Sequence, residues 1–415
     1  MLTFEQKLRS YARIALVYGL GLDQKARPLY VNSFQTEDHG GFIPILAEEA
    51  YKLGVETVDV VYRDPALERA QFLGAPEAFK LNISQHISMR AQEIVDQDGA
   101  CLALNGNGSL GVMDDVDSKY PASLKAMQMK AYEPLTSRRM KMLQPWSILD
   151  VPTVAWAHKL GMSIDELWQF LFEVMGANED DPVGYAVGVS DTLHKRAALL
   201  NAGGIHKLLF RGEGTNLNVG LSPHAKWLGG QKQAEDGTWF GANWGSFEIY
   251  TTPDWRTVEG TARITMPSVI GGQVVDGLTV DFQNGEVVDF RAEQGASAFE
   301  NLISHDDGAN QLGEIALVGL DSPLAQYREP HFCTMLDENK RCHMAVGKAY
   351  AAALNGGTKM SEDELANIGC NDSEVHHDMM ISDETTSVFT IDENNNTVAQ
   401  LMHGGHWLEP FDCKS

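Results

Sequence analysis

Cysteine is scarce in this chain of 415 residues, and the five present, Cys101, Cys333, Cys342, Cys370 and Cys413, include no CxxC pair. An odd, unevenly spaced set argues against a disulfide framework and for reduced thiols, and excludes a zinc ribbon or thioredoxin-like motif. Long apolar runs are also missing: none approaches the roughly 20 residues that span a bilayer, so no membrane association is expected. In the N-terminal stretch MLTFEQKLRSYARIALVYGLGL, charges interrupt the apolar positions. It reads as an amphipathic helix with Leu8, Tyr11, Ala12, Ala15 and Leu16 on one face, not as a signal peptide, and makes the cytoplasm the expected location. Cations are few: 32 Lys and Arg stand against 57 Asp and Glu, for a net charge of -25. Such a surface repels phosphate backbones, which argues against a nucleic-acid partner. Its acidity serves solubility, or else draws in a cationic substrate such as a free amine.

What is present suits two domains, because 415 residues exceed one ordinary core. In the first half, Pro28–Val31 reads as a short strand, residues 42–52 as a helix stopped by Gly54, and Val58–Tyr62 as a β-branched strand. That is the βαβ pattern of a parallel sheet. Ala100–Leu104 is a further buried strand, and Ser163 with Glu166 forms a capping box ahead of the helix Leu167–Phe172. Past residue 200 the segments are short and punctuated by Gly, Asn and Asp, as in 207–210, 216–219 and 278–282, and Asn284-Gly285 signals a hairpin. The expected fold is an α/β N-terminal domain with a largely parallel sheet (1–190) and a mainly antiparallel β (α+β) C-terminal domain (191–415) carrying a metal site. A cleft between two such domains is a common place for a site.

Five ionisable residues of the second half sit where side chains can converge. Glu248 alternates with Phe247 and Ile249, so it faces away from both. Glu314 stands at the mouth of the apolar strand Gly313–Val318, where burial is costly unless a cation compensates. His376 and Asp378, two apart in a strand, share a face. His343 and Tyr350 are seven apart in the alanine-rich stretch 341–350, which reads as a helix and stacks them two turns apart. Cys342, turned about 100° round that helix, reads as structural. Two Glu, one Asp and a bridging hydroxide would balance two divalent cations. A pair about 3.5–4 Å apart can acidify a shared water and polarise a peptide carbonyl. The second H-x-D copy, His305–Asp307, reads as a loop, and His403 and His406 as the flanks of a Gly404-Gly405 turn.

Over nearly its whole length the chain resembles the aminopeptidase T and aminopeptidase S family of metallopeptidases. The resemblance is carried by residues 47–54 and 154–159, by 214–221 with 227–230, and by 248–253, 313–318 and 336–339. It continues through Cys342-His343, Tyr350 and His376–Asp378. It implies that Glu248, Glu314, His343, His376 and Asp378 are metal ligands and that Tyr350 is a further ligand or a hydrogen-bond donor to substrate or water. Glu314 and Tyr350 are the expected catalytic residues. The resemblance further implies a homodimer, peptide substrates shortened from the N-terminus, and zinc, cobalt, manganese or magnesium as the metals. One departure stands out: relatives carry two consecutive Glu before the Ile/Val-Phe-Thr stretch, whereas here Phe247 precedes Glu248. Neighbouring strand residues face opposite ways, so Glu248 is expected to be the one that reaches the metals.

Three rival readings arise. Gly106-Asn107-Gly108-Ser109-Leu110-Gly111 fits G-x-G-x-x-G, but the following residues crowd carboxylates where a pyrophosphate would sit. It reads as a turn. His343, His376 and Asp378 alone would suit one Fe(II) and a ring-cleaving dioxygenase, a reading in which Glu248 and Glu314 have no task. A binding protein with an impaired site is the third reading, should Phe247 break the site.

Overall fold

The computed structural model describes residues 2–33, 38–106, 111–113, 115–117, 119–271, 273–394 and 396–413. The chain divides into two compact units: Met1–Gly188 with Gln231–Trp244, and Val189–Gly230 with Gly245–Ser415. Among the described residues no helix is long and apolar enough to cross a membrane. Of the glycine-rich stretch 106–111, residues 107–110 lie outside the described residues.

The first unit opens with α1 (Phe4–Arg13), whose N-terminus is closed by a reciprocal pair of bonds between Thr3 and Gln6. Tyr11 of this helix is fully buried, edge-on to Trp168 and Phe172. Four strands, β1 (Leu29–Ser33), β2 (Val58–Tyr62), β3 (Ala100–Asn105) and β4 (Trp146–Asp150), form a parallel sheet in the order β2-β1-β3-β4. The register sets Val31 beside Val60 on one flank and Leu102 on the other. A helix, α2 (Phe42–Lys52), makes the crossover from β1 to β2, as the βαβ spacing predicts. The predicted capping box is present: Glu166 N–H donates to Ser163 Oγ (3.2 Å), and Ser163 N–H to Glu166 Oε2 (2.8 Å).

The change of sequence texture near residue 190 does not signal that Gln231–Trp244 returns to the first unit. Local composition has no say in that return. It is made by buried Arg27, which donates to Asp98 (2.9 Å) and Asp236 (2.8 Å), and by Trp244, whose indole N–H donates to the Met175 carbonyl (3.0 Å).

The second unit contains an eight-stranded sheet ordered 286–291, 279–283, 259–263, 215–220, 207–212, 387–391, 397–403 and 406–407. All its pairs are antiparallel. The Asn284-Gly285 signal is realised there: both residues have positive φ (53° and 87°), the requirement of a tight hairpin whose twist matches its strands. A second, four-stranded sheet holds β5 (Glu248–Thr251), β6 (Leu312–Val318), β7 (His343–Gly347) and β8 (His376–Met380), antiparallel in the order β8-β7-β6-β5.

Strand β7 overturns the helical reading of residues 341–350. Its alanines suggest a helix, but Met344 and Val346 alternate with His343, Ala345 and Gly347 and are buried in the same core as Ile249, Ile315, Leu317 and Met379. Burying each such side chain contributes about 1.5–3 kcal/mol, against helix-propensity differences below about 1 kcal/mol per residue. Strands on both sides complete the ladder. Cys342 is therefore structural because it precedes a strand on the core face, in contact with Met402 and the Val318 carbonyl, and not because of a helical offset.

Candidate metal centre

One face of the four-stranded sheet is mainly apolar and belongs to the core, with Thr251 and His377 also on it; the other gathers the candidate ligands. The register sets Glu314 of β6 opposite Ala345 of β7, and Ala345 opposite Asp378 of β8. His343 pairs with Ala316, His376 with Gly347, and Glu248 with Val318. Residues directly opposite share a face, so Glu248, Glu314, His343, His376 and Asp378 all project from one side. A bulge at Gly313, between Leu312 and Glu314, sets that register, a device that re-aims a side chain next to a site. Ala316, Ala345 and Gly347 carry little or no side chain and leave room among the ionisable groups. At Gly347 the chain turns with φ +98°, and a Cβ there would meet the Val375 carbonyl at 2.1 Å. Tyr350 follows this turn in extended backbone. The two-turn stacking of Tyr350 on His343 is thus replaced by another contact: the Tyr350 hydroxyl lies 3.4 Å from His376 Nε2, with the two rings 5.0 Å apart.

Two ligand groups overlap in this cluster. Glu248, Glu314 and His343 each offer a donor atom within 4.8 Å of the others, and so do Glu314, His376 and Asp378. Glu314 belongs to both. His343 Nε2 lies 3.1 Å from Glu248 Oε2 and 4.0 Å from Asp378 Oδ1. His376 Nε2 lies 3.1 Å from Glu314 Oε2 and 3.4 Å from Asp378 Oδ1. Both rings are oriented from behind: His343 Nδ1 is 3.2 Å from the Arg341 carbonyl and His376 Nδ1 2.7 Å from the Lys348 carbonyl. A carbonyl can only accept, so each Nδ1 carries the N–H, which directs the lone pair of each neutral ring to Nε2, as in metal-binding histidines.

The electrostatics are those of a site built for cations. Burial, then the like charges of Glu248 and Asp378, raise the Glu314 carboxyl above its ordinary range despite His376. Burial tends to neutralise the histidines, yet Glu248, followed by Asp378 and Glu314, pushes His343 up to about 9. In the same way, Asp378 and Glu314 push His376 up to about 11. Asp378 is buried, which works against its charge, but His376 and His343 hold it well below the usual carboxylate range. Without cations, protons must serve as the counter-ions. Among the described residues no donor is aligned on buried Glu248 Oε2, although His343 Nε2 lies 3.1 Å away, and a buried carboxylate oxygen left so costs free energy unless a cation completes it. The residues fit divalent metal.

One acidic residue of the cluster escaped the sequence reading. Glu338 ends the short helix α3 (Thr334–Glu338). Burial, then the carboxylates of Asp378, Glu248 and Glu314, raise its carboxyl well above the ordinary range, and it is within hydrogen-bonding reach of Asp378. It lies in the stretch 336–339 that carries the family resemblance, but neither a two- nor a 3.6-residue period marks it. The loop residues His305, Asp306 and Glu374 also come together, on the surface. There Asp306 is already engaged by Ser373 Oγ and by the Glu374 and Gly308 N–H groups, and it staples two loops. His403 and His406 face each other across the turn at Gly404-Gly405, in the eight-stranded sheet and not in the four-stranded one.

Carboxylates and histidines gathered on one face of an antiparallel sheet form the donor set of a candidate metal-binding protein. The chain belongs to the thermophilic metalloprotease family M29, whose sequence model matches residues 4–407. It is similar to aminopeptidase 2 of Geobacillus stearothermophilus, 32% identical over 97% of this chain and 98% of that protein. Aminopeptidase T of Thermus aquaticus is 31% identical over 98% and 99% of the two chains. The solved structure of wild-type AmpT from Thermus thermophilus superposes with a TM-score of 0.89 at 29% identity, covering 98% of this chain and 100% of that one. The chain is accordingly a metalloaminopeptidase, a hydrolase that uses divalent metal.

Proposed function

We propose that the second unit is the catalytic one, and that Glu248, Glu314, His343, His376 and Asp378 hold two divalent cations for the release of N-terminal residues from peptides. The observation that carries this reading is the membership of Glu314 in both ligand groups. A carboxylate between two adjacent groups is what a paired site needs, whereas a single iron held by two histidines and Asp378 leaves Glu314 and Glu248 without a task. When bound, such a pair polarises a peptide carbonyl and acidifies an attacking water. Glu314, common to both ligand groups, would offer its carboxylate to both positions. Tyr350 keeps its proton at neutral pH, because burial and the carboxylates of Glu314 and Asp378 raise its phenol further. Its hydroxyl is therefore a hydrogen-bond donor at the edge of the cluster, suited to the substrate carbonyl. Phe247 takes nothing from this arrangement, since Glu248 is the residue of the pair that reaches the cluster.

Elemental analysis of the purified chain is expected to give close to two ions of zinc, cobalt, manganese or magnesium. One iron per chain together with no peptide hydrolysis would overturn the proposal. Tyr350→Phe is expected to lower kcat on leucine p-nitroanilide by about 10–100-fold while ion content stays at the wild-type value. A loss of ions that exceeds the loss of turnover would make Tyr350 a ligand instead. The reading extends to a cytoplasmic homodimer. The free cysteines support the location and the family resemblance the dimer, and a sedimentation mass equal to one chain would remove the dimer.

A further inference from the structure

Asn339 is fully buried directly after α3, and every polar group of its side chain is engaged. Its Oδ1 accepts the Phe247 N–H at 2.6 Å. Its Nδ2 donates to the Met335 carbonyl at 2.9 Å and to Glu338 Oε1 at 3.4 Å. Its own carbonyl accepts from Ser322 Oγ at 2.6 Å. One amide thus ties the residue before Glu248, at the start of β5, to Glu338 at the end of α3. These two carboxylates come from segments 90 positions apart in sequence and share no strand pairing. Four acidic groups gathered in one cluster repel each other, so their spacing has to be imposed by uncharged bonds from behind. A neutral amide is suited to this, because it offers an acceptor to one segment and a donor to the other at the same time.

We infer that Asn339 is a positioning residue that holds Glu248 and Glu338 at a fixed separation around the metal centre, and thereby sets the affinity of the centre for its ions. The inference rests on the two-cation reading above. Outer-shell partners of metal ligands typically govern about 10–100-fold in affinity, and the effect here should fall in that range. Asn339→Asp retains an acceptor for the Phe247 N–H but replaces the donor to Glu338 with a further acceptor. Asn339→Ala removes both links. Ser322→Ala removes a buried bond to the same residue without touching either link, and serves as the structural control.

The test is calorimetric titration of the chelator-stripped full chain with Mn²⁺, alongside thermal unfolding of the stripped protein. Expected is a loss of at least about tenfold in Mn²⁺ affinity for Asn339→Asp and Asn339→Ala. Ser322→Ala should lose thermal stability but keep its affinity within about twofold of wild type. Wild-type affinity in a folded Asn339→Asp chain overturns the inference. So does a Ser322→Ala chain that reproduces the loss. If Asn339→Ala fails to fold, Asn339→Asp decides. A wild-type chain that takes up no Mn²⁺, zinc or cobalt defeats the two-cation reading itself, whereas uptake of two ions with equal affinity by wild type and both Asn339 variants defeats only the role of Asn339.

Discussion

Replacing Glu314 with glutamine is expected to reduce hydrolysis of leucine p-nitroanilide by more than about a hundredfold, since loss of an outer-shell partner alone costs 10–100-fold. Glu314 is the only residue common to the two ligand groups, so the substitution weakens both positions and ion content should fall below one per chain. Glutamine has nearly the same shape and leaves no cavity. The second consequence has the opposite sign. In the metal-free chain Glu314 is buried at 4% exposure beside Glu248 and Asp378, and like charges at that range are repulsive. Removing one of them should raise the unfolding temperature measured in chelator, while abolishing the rise that added metal gives the wild type. Near wild-type turnover with two ions bound would show that Glu314 is not the shared ligand. A metal-free variant less stable than the metal-free wild type would show that the cluster is not electrostatically crowded.

The parts of this arrangement that could be read from sequence are those that a two-residue period reports. Glu248 between Phe247 and Ile249, and His376 with Asp378, announce a strand with one polar face because alternation is local. Glu314 was legible as a lone charge in an apolar strand. The parallel sheet of the first unit was legible for a similar reason, its strands and crossover helix lying in consecutive segments. Ala345, Ala349 and their neighbours favour a helix around His343; only pairing with β6 and β8 makes the stretch a strand, and no short window contains that information. Glu338 was invisible for a stricter reason. It follows four helical residues and precedes Asn339, and nothing in that run says that Asp378, 40 positions on, lies within reach. The return of Gln231–Trp244 to the first unit rests on Arg27 and Asp236, a pair separated by more than 200 residues.

Strand β7 allows the metal function and the fold to be separated by mutating adjacent residues. Ala345 lies between Glu314 and Asp378 in the register, and neighbouring strands put roughly 5 Å between opposed positions. Its methyl group is the floor under the space between those two carboxylates. Leucine there adds three carbon atoms to that space, which should push the carboxylates apart, drop ion content below one per chain and cost more than about a hundredfold in turnover. Ala345→Gly, which only deepens the space, should keep both ions. Met344, the preceding residue, points into the core on the opposite face. Met344→Ala should destabilise the chain by about 2–5 kcal/mol and still bind two ions per folded chain. Ion analysis and thermal unfolding of the three variants test this together. On a helix, positions 344 and 345 would sit only about 100° apart and the two effects would mix, so a Met344→Ala chain that loses its ions as Ala345→Leu does would reject the two-faced strand on which the site is built.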